Sequence, residues 1–495
     1  MKRLIFSIAT ASVCLFSYAQ NDIDALRYSQ SDIGSTARSM ASGGAFGSLG
    51  ADISSAGINP AGIALYRSNS FIMGLGMQNA KVTGDYLGNS IRDNEFNLNV
   101  PNLGFVINNK KYDGRKPATS GWLNTNFSMT MNRTANYHQI INYGGDNTES
   151  SMLDYFAQRA DGLSVSELGA SDEELNYGYY DLETMMWEAY LIDSVANRQY
   201  AAALNPLERN TSQRNVISSR GSKNEIGLTL ASNYENKFYI GGGVQLTTVR
   251  YRETNRFTEI DNGLTLNNWT SWELQQHLTT TGVGVSGNLG IIVRPKSRIR
   301  LGAALKTPTI YSLNDEYYDE LYTTYDDGGD LDLRSADGTY SYKVVSPLQT
   351  TLSASYLFGK KGFISADAEF VDYSSMRLRP VNGAFEVAND VIRSKYKDVV
   401  NLRVGGEFVH DMFRFRAGAA HYGSPLYTAT SNNLQRLYLT GGIGIQEKDW
   451  SLDLALVQRR EATIRQPYTV DGVGVDYAEN KLVRNSMVLT LSTRF

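Results

Sequence analysis

The 495-residue chain predicts an all-β fold: a transmembrane antiparallel β-barrel of about 14 strands, with an N-terminal plug inside its lumen and a partly helical loop insertion. Three observations carry that expectation. The chain opens on a secretory signal, apolar residues recur at period two, and the connections sort into short turns and long loops.

The signal spans residues 1–19. Lys2 and Arg3 precede an apolar run from Leu4 to Phe16, and Ser17-Tyr18-Ala19 forms a small-x-small cleavage pattern before Gln20. Cleavage removes two basic residues and no acid, so the formal charge moves from −4 to −6. It also removes Cys14, the one cysteine. An acidic, cysteine-free exported chain excludes a disulfide framework, thiolate chemistry and basic nucleic-acid binding.

Nothing after residue 19 approaches the ~18 consecutive apolar residues of a membrane helix, and the mean hydropathy is −0.32. Helical membrane spans are excluded. Barrel strands are not, because lipid-facing apolar and lumen-facing polar residues alternate and average out as polar.

The alternation recurs along the chain. Leu402, Val404, Gly406 and Phe408 share one face, opposite Arg403, Gly405 and Glu407. Phe413, Phe415, Ala417 and Ala419 oppose Arg414 and Arg416, and Ile299, Leu301, Ala303 and Leu305 oppose Arg298, Arg300 and Lys306. Leu452, Leu454 and Leu456 oppose Ser451 and Asp453. Each run reads as a half-buried strand.

Connections separate a membrane barrel from a soluble sandwich. Strands pair across short polar turns at 233–236, 295–297, 359–362, 410–412 and 447–449, while long polar segments lie near 254–276, 313–342, 379–398, 423–433 and 464–480. Turns on one side and loops on the other are the pattern of an outer-membrane barrel, with turns in the periplasm. The strands fall near 70–80, 96–108, 121–133, 222–233, 237–252, 277–294, 298–311, 343–358, 363–376, 399–410, 412–422, 434–446, 449–462 and 483–495. Fourteen is even, so both ends of the barrel (70–495) lie on the periplasmic side. The last strand places Met487, Leu489, Leu491 and terminal Phe495 on one face, similar to the C-terminal signal read by the barrel-assembly machinery.

Residues 20–69 precede the first strand and are rich in Gly, Ala and Ser. Too poor in bulky apolar residues to build a core, they belong inside the lumen as a hatch. The stretch "ARSMASGGAFGSLGADISSAGINPAGIA" resembles the N-terminal hatch of the FadL-type outer-membrane transporters of long-chain fatty acids and aromatic hydrocarbons, through Ala37, Met40, Gly43, Gly44, Ala45, Asp52 and Asn59-Pro60-Ala61-Gly62. Residues 402–426 and 306–317 resemble a late hairpin and a loop start of that family, whereas 134–221 align with nothing in it.

The resemblance implies uptake of a hydrophobic compound that loops capture, an inner pocket holds, and a shifted hatch releases. Gly43, Gly44, Asn59, Pro60, Ala61 and Gly62 are the hatch motif. The partners implied are the apolar substrate and outer-membrane lipid, for a monomer. A nonspecific porin and a loop-displaying adhesin or receptor are the other classes; a plug argues against an open pore, and display needs no hatch.

Residues 134–221 form the second extracellular loop. Met152, Leu153 and Phe156, then Met185, Met186, Ala189 and Tyr190, have helical spacing, with Ser150 and Asp181 as N-caps. A packed helical hairpin explains both runs; an apolar capture site at Met185, Met186, Trp187 and Tyr190 is the functional alternative. Arg298, Arg300, Arg414 and Arg416 point away from the apolar face, toward the lumen near the hatch. Pairing with lumen acids such as Asp453 and Glu407 is their structural role, and a clamp on a substrate carboxylate the alternative.

No catalytic site, cofactor or metal is expected. His138, His277, His410 and His421 include no pair at ligand spacing. The "GVGVSG" at 282–287 lies within a strand with no helix after it, and no G-x-S-x-G elbow occurs. The acidic stretch 325–333 reads as a solvated turn, with calcium binding as its alternative.

Overall fold

The computed structural model describes residues 22–168, 181–196, 198–205, 209–263, 268–380, 385–427 and 434–495. Fourteen antiparallel strands close into a barrel. They are β1 (Ser70–Tyr86), β2 (Asn89–Asn99 and Asn102–Lys110), β3 (Trp122–Asn136 and Gln139–Asn147), β4 (Thr211–Tyr234) and β5 (Phe238–Asp261). Then follow β6 (Trp269–Lys296), β7 (Ile299–Lys306 and Ile310–Tyr325), β8 (Gly338–Val345 and Gln349–Leu357), β9 (Gly362–Asp372 and Arg377–Pro380) and β10 (Asp398–His410). The last four are β11 (Phe413–Tyr422), β12 (Arg436–Gln446), β13 (Trp450–Arg465) and β14 (Ala478–Arg494).

Closure runs between β1 and β14, in register from Ser70↔Arg494 to Asp85↔Glu479. A closed sheet satisfies its backbone internally, which lipid requires of any spanning structure. On β1, Phe71, Met73, Leu75 and Met77 face outward and exposed, while Ile72, Gln78 and Ala80 are buried inside. Leu228, Leu246, Val285, Leu301, Leu352 and Val404 continue this outer apolar band. At the turn end, exposed Trp122, Tyr234, Tyr356, Phe358, Phe413 and Trp450 form an aromatic girdle.

The count and the sorting of turns and loops agree with the sequence; strand length does not. β4, β5 and β6 run 24, 24 and 28 residues, well beyond the roughly 9–11 that cross a bilayer. Their surplus stands above the loop end, where ladder hydrogen bonds continue without an apolar face, so alternation in the sequence underestimates them.

The loop after β3 is correspondingly shorter than 134–221. Helix α4 (Met152–Ala160) is N-capped by Ser151 and not by Ser150. Ser151 and Asp154 complete a capping box, while the Ser150 hydroxyl sits 3.0 Å from that of Tyr468. Asp181 does cap the second helix, α6 (Leu182–Glu188), accepting from the Thr184 amide at 2.8 Å. Residues 325–333 form the turn of a hairpin, β7 pairing with Asp330–Arg334.

Among the described residues the barrel wall is interrupted between the outer pieces of β2 and β3. The outer piece of β2 (Asn89–Asn99) pairs with β1, and the outer piece of β3 (Gln139–Asn147) pairs with β4; among the described residues no ladder joins them. Pro101 sits where β2 breaks and has no N–H to continue a ladder. Its carbonyl still accepts from Arg133 at 2.8 Å, but the next carbonyl along β3, that of Thr134, accepts from Asp32 of the hatch at 2.7 Å.

Candidate functional site: the hatch, its seat and the wall break

Residues 31–66 lie against the inner wall as a chain of tight turns. Thr36 caps helix α2 (Ala37–Ala41) and donates to Asp52 at 2.8 Å. Gly43 and Gly44 follow with φ of 66° and 73°, a region favouring glycine. A Cβ at Gly43 would stand 2.6 Å from the Val404 carbonyl oxygen, so the seat has no room for one.

Asn59-Pro60-Ala61-Gly62 is fully inside. The Asn59 side chain donates to the carbonyls of Gly47, 2.6 Å, and Ile291, 3.1 Å, and accepts from the Ala61 amide at 3.2 Å. One buried side chain thus ties two hatch turns to β6. Pro60 opens a 3₁₀ helix (Pro60–Leu65), a position where its missing N–H is no loss.

The wall answers with glycine. A Cβ at Gly241 would meet Pro60 at 2.5 Å, one at Gly290 would meet Asn59, one at Gly302 the Gly47 carbonyl at 2.5 Å, and one at Gly418 the Gly43 nitrogen. Gly405 on β10 meets Ser42 in the same way. At Gly241, Gly302, Gly405 and Gly418 hatch and wall therefore touch backbone to backbone, and at Gly290 the wall receives the Asn59 side chain.

Ion pairs complete the seat. Asp32 faces Arg459 at 2.8 Å, Arg436 at 3.1 Å and Arg484 at 3.7 Å, and accepts from the Tyr438 hydroxyl at 2.9 Å. Arg38 lies 3.7 Å from Glu407. Asp367 accepts from the Gly47 amide at 3.0 Å and lies 3.9 Å from Arg403.

The four arginines singled out from the sequence divide into two pairs. Arg416 is buried and bridges Glu407 and Asp453, each at 2.7 Å. Arg300 donates to the Leu49 carbonyl of the hatch. Arg298 is exposed in its turn, and Arg414 is engaged by the Asp411 and Phe413 carbonyls at 2.7 and 3.0 Å. Sequence reasoning missed the Asp32 cluster. Its signal was the surplus of inward-facing arginines on β12 to β14.

The hatch begins at the loop end, not the turn end. Helix α1 (Asp22–Ser29) buries Ala25, Leu26 and Tyr28 in a chamber with Tyr251, Tyr342 and Tyr396. Asp22 pairs with Lys395 at 2.7 Å and accepts from the Tyr396 hydroxyl at 2.6 Å, beside helix α7 (Glu386–Lys395). Its apolar side packs among these aromatics and the aliphatic Val249, Leu313, Val344 and Ile392.

Met185 and Met186 are fully buried among Leu153, Phe156, Trp269 and Trp272, Trp187 packs at the edge of that cluster, and Tyr190 is 69% exposed. Beneath them Arg159 pairs with Glu183, whose carboxyl burial pushes up. Residues 282–287 lie in β6. His277 stands 3.2 Å from Glu320, and no group of three metal-ligating side chains occurs among the described residues.

Beside the hatch lies a cavity of about 110 Å³, lined by Asp32, Glu225, Lys306, Arg403 and Arg436. A second, of about 60 Å³, runs from Asp32 and Met40 to Asn99, Pro101 and Arg133 at the wall break. Both are smaller than the roughly 300–1,000 Å³ of ligand clefts.

No protein-family model and no curated protein sequence matches the chain. Solved structures do. The toluene transporter TodX of Pseudomonas putida is 14% identical, with 94% of this chain and 100% of that chain covered at a TM-score of 0.53. A Pseudomonas aeruginosa FadL homologue is 14% identical, with 94% and 98% covered at 0.54. The likeness is one of fold, over nearly the whole chain.

Proposed function

We propose that a chain with this FadL-type fold takes up hydrophobic compounds across an outer membrane, through a lumen that the hatch closes. The observation that carries the reading is the plug beside a broken wall. The small cavity at Pro101 and Arg133 leads from Asp32 to the gap between the outer pieces of β2 and β3. A shift of residues 31–62 joins that cavity to the lumen and gives an apolar molecule a way toward lipid without crossing water. An open porin needs a continuous aqueous lumen, which the buried Asn59-Pro60-Ala61-Gly62 turn occupies.

Within this reading Asn59 and Pro60 fix the resting hatch, and Gly43, Gly44 and Gly62 supply its tight turns. Arg300 and Arg416 hold the lumen near it. Capture falls to the exposed edge at Trp187 and Tyr190, over the buried Met185 and Met186. The strand ending at Phe495 presents the chain to the assembly machinery, and the barrel works as a monomer.

Purified protein in liposomes tests the reading. Toluene and a long-chain fatty acid should enter saturably, while sugars should not swell the vesicles. Sugar permeation at porin rates, without saturable uptake of either apolar probe, would overturn it. Mass spectrometry of co-purified ligand would name the substrate class.

A further inference from the structure

The turn end carries a charge pattern that neither the hatch nor the apolar wall requires. The chain is net acidic, at −4, yet three of its first four turns are basic and the other is neutral. Lys110, Lys111, Arg115 and Lys116 occupy the turn between β2 and β3, with Asp113 the one acid there. Lys237 follows Glu235 in the next. Arg294, Lys296 and Arg298, then Lys360 and Lys361, occupy the third and fourth with no acid at all. The fifth and sixth turns differ, with Asp411 in the one and Glu447, Lys448 and Asp449 in the other, so the surplus of basic residues forms an arc over the half of the rim from β2 to β9.

These cations are free to act on something outside the chain. Lys110, Lys111, Lys116, Lys296, Lys360 and Lys361 are all exposed, and none forms an ion pair among the described residues. Their depth is fixed by the aromatic girdle. The exposed rings of Trp122 and Tyr234 pack at 5.3 Å, and those of Tyr356 and Phe358 at 4.9 Å. Lys360 is two residues past Phe358, and Lys237 three past Tyr234. Aromatic belts mark the edge of the hydrocarbon, and turns this short cannot carry an ammonium far beyond it.

We propose that this arc binds the headgroups of anionic phospholipids in the leaflet at the turn end. Juxtamembrane lysines and arginines attract anionic lipid within a Debye length of the surface, and several on one arc act on the same few headgroups. A soluble acidic partner would call for cations projecting clear of the membrane. Only the small hairpin of Tyr112–Asp113 and Lys116–Pro117 extends that way. The arc begins at the turn between β2 and β3, below the paired lower pieces of those strands, Asn102–Lys110 and Trp122–Asn136. The surface does not depend on what the barrel transports.

The full chain in nanodiscs of equal phosphatidylglycerol and phosphatidylethanolamine tests this, with retained lipid counted by native mass spectrometry. Phosphatidylglycerol should be enriched roughly tenfold, and the enrichment should fall as salt is raised. The variant K110Q/K111Q/K360Q/K361Q, checked for heat-modifiable folding, should lose most of it. Equal retention of the two lipids by the unmodified chain overturns the proposal, as does enrichment that survives in the folded variant. Retention of peptidoglycan fragments with no lipid preference would also overturn it, giving the arc to a wall polymer. If the variant does not fold, lipid preference and salt dependence of the unmodified chain decide.

Discussion

Arg459, on β13, places a guanidinium nitrogen 2.8 Å from a carboxylate oxygen of Asp32, in the hatch. The same carboxylate faces Arg436 and Arg484, so one hatch charge holds three wall cations in a site nearly closed to water. Removing one partner of a buried pair strands the other, at about 3–5 kcal/mol. Asp32→Asn should therefore loosen the hatch while the barrel remains heat-modifiable. Single-channel recording should show openings that the unmodified protein lacks; a silent, folded variant would show that the cluster is not the latch.

The glycine seat predicts an asymmetric response to alanine. At Gly405 a Cβ would lie 2.5 Å from the Ser42 carbonyl carbon, whereas at Gly441 the nearest atom is 3.8 Å away. Overpacking of this kind costs about 1–3 kcal/mol, and backbone cannot step aside as a flexible side chain can. Gly405→Ala should raise protease sensitivity within residues 31–66, and Gly441→Ala should not. Equal behaviour of the two would mean that hatch and wall are less closely apposed.

Deleting residues 43–62 should leave a barrel that inserts, because β1 to β14 and the C-terminal strand are untouched. Vesicles carrying it should leak sugars and lose saturable uptake of apolar probes. Pro60→Ala removes only a fixed backbone angle, worth ~0.4–1 kcal/mol, so it should alter gating more than thermal stability. A sealed, folded deletion variant would remove the plug from the proposed mechanism.

Topology is open to direct labelling. An epitope inserted after Gly162, beyond α4, should be reached by antibody on intact cells, and one between Lys360 and Lys361 only after permeabilisation. The opposite pattern would invert the barrel. Residues 169–180 lie outside the described residues, so Gly162 is the better site for the first insertion.

Much of the wall was legible because a half-buried strand writes its geometry at period two, as Leu402 to Phe408 does, and because turn length alternates with it. The extended halves of β4 to β6 were not, since polar residues on both faces leave no such trace. The break at Pro101 shows as a residue but not as a consequence: which carbonyl loses its partner depends on where Asp32 arrives. Likewise the hatch motif was readable from Asn59-Pro60-Ala61-Gly62, whereas the Asp32 cluster joins residues more than 400 positions apart. For Ser150 and Ser151, adjacent identical residues, a tertiary contact with Tyr468 decided which one caps the helix.

The glycine seat also bears on how the molecule is assembled. The hatch touches Gly241, Gly302, Gly405 and Gly418, on strands from β5 to β11, with backbone pressed on backbone, and its first helix is enclosed at the far end under α7. Such a segment cannot be slid into a finished cylinder through either mouth without parting those contacts. It precedes every strand of the wall in the chain. The hatch must therefore be seated while the wall is still open, before the β1–β14 seam closes around it.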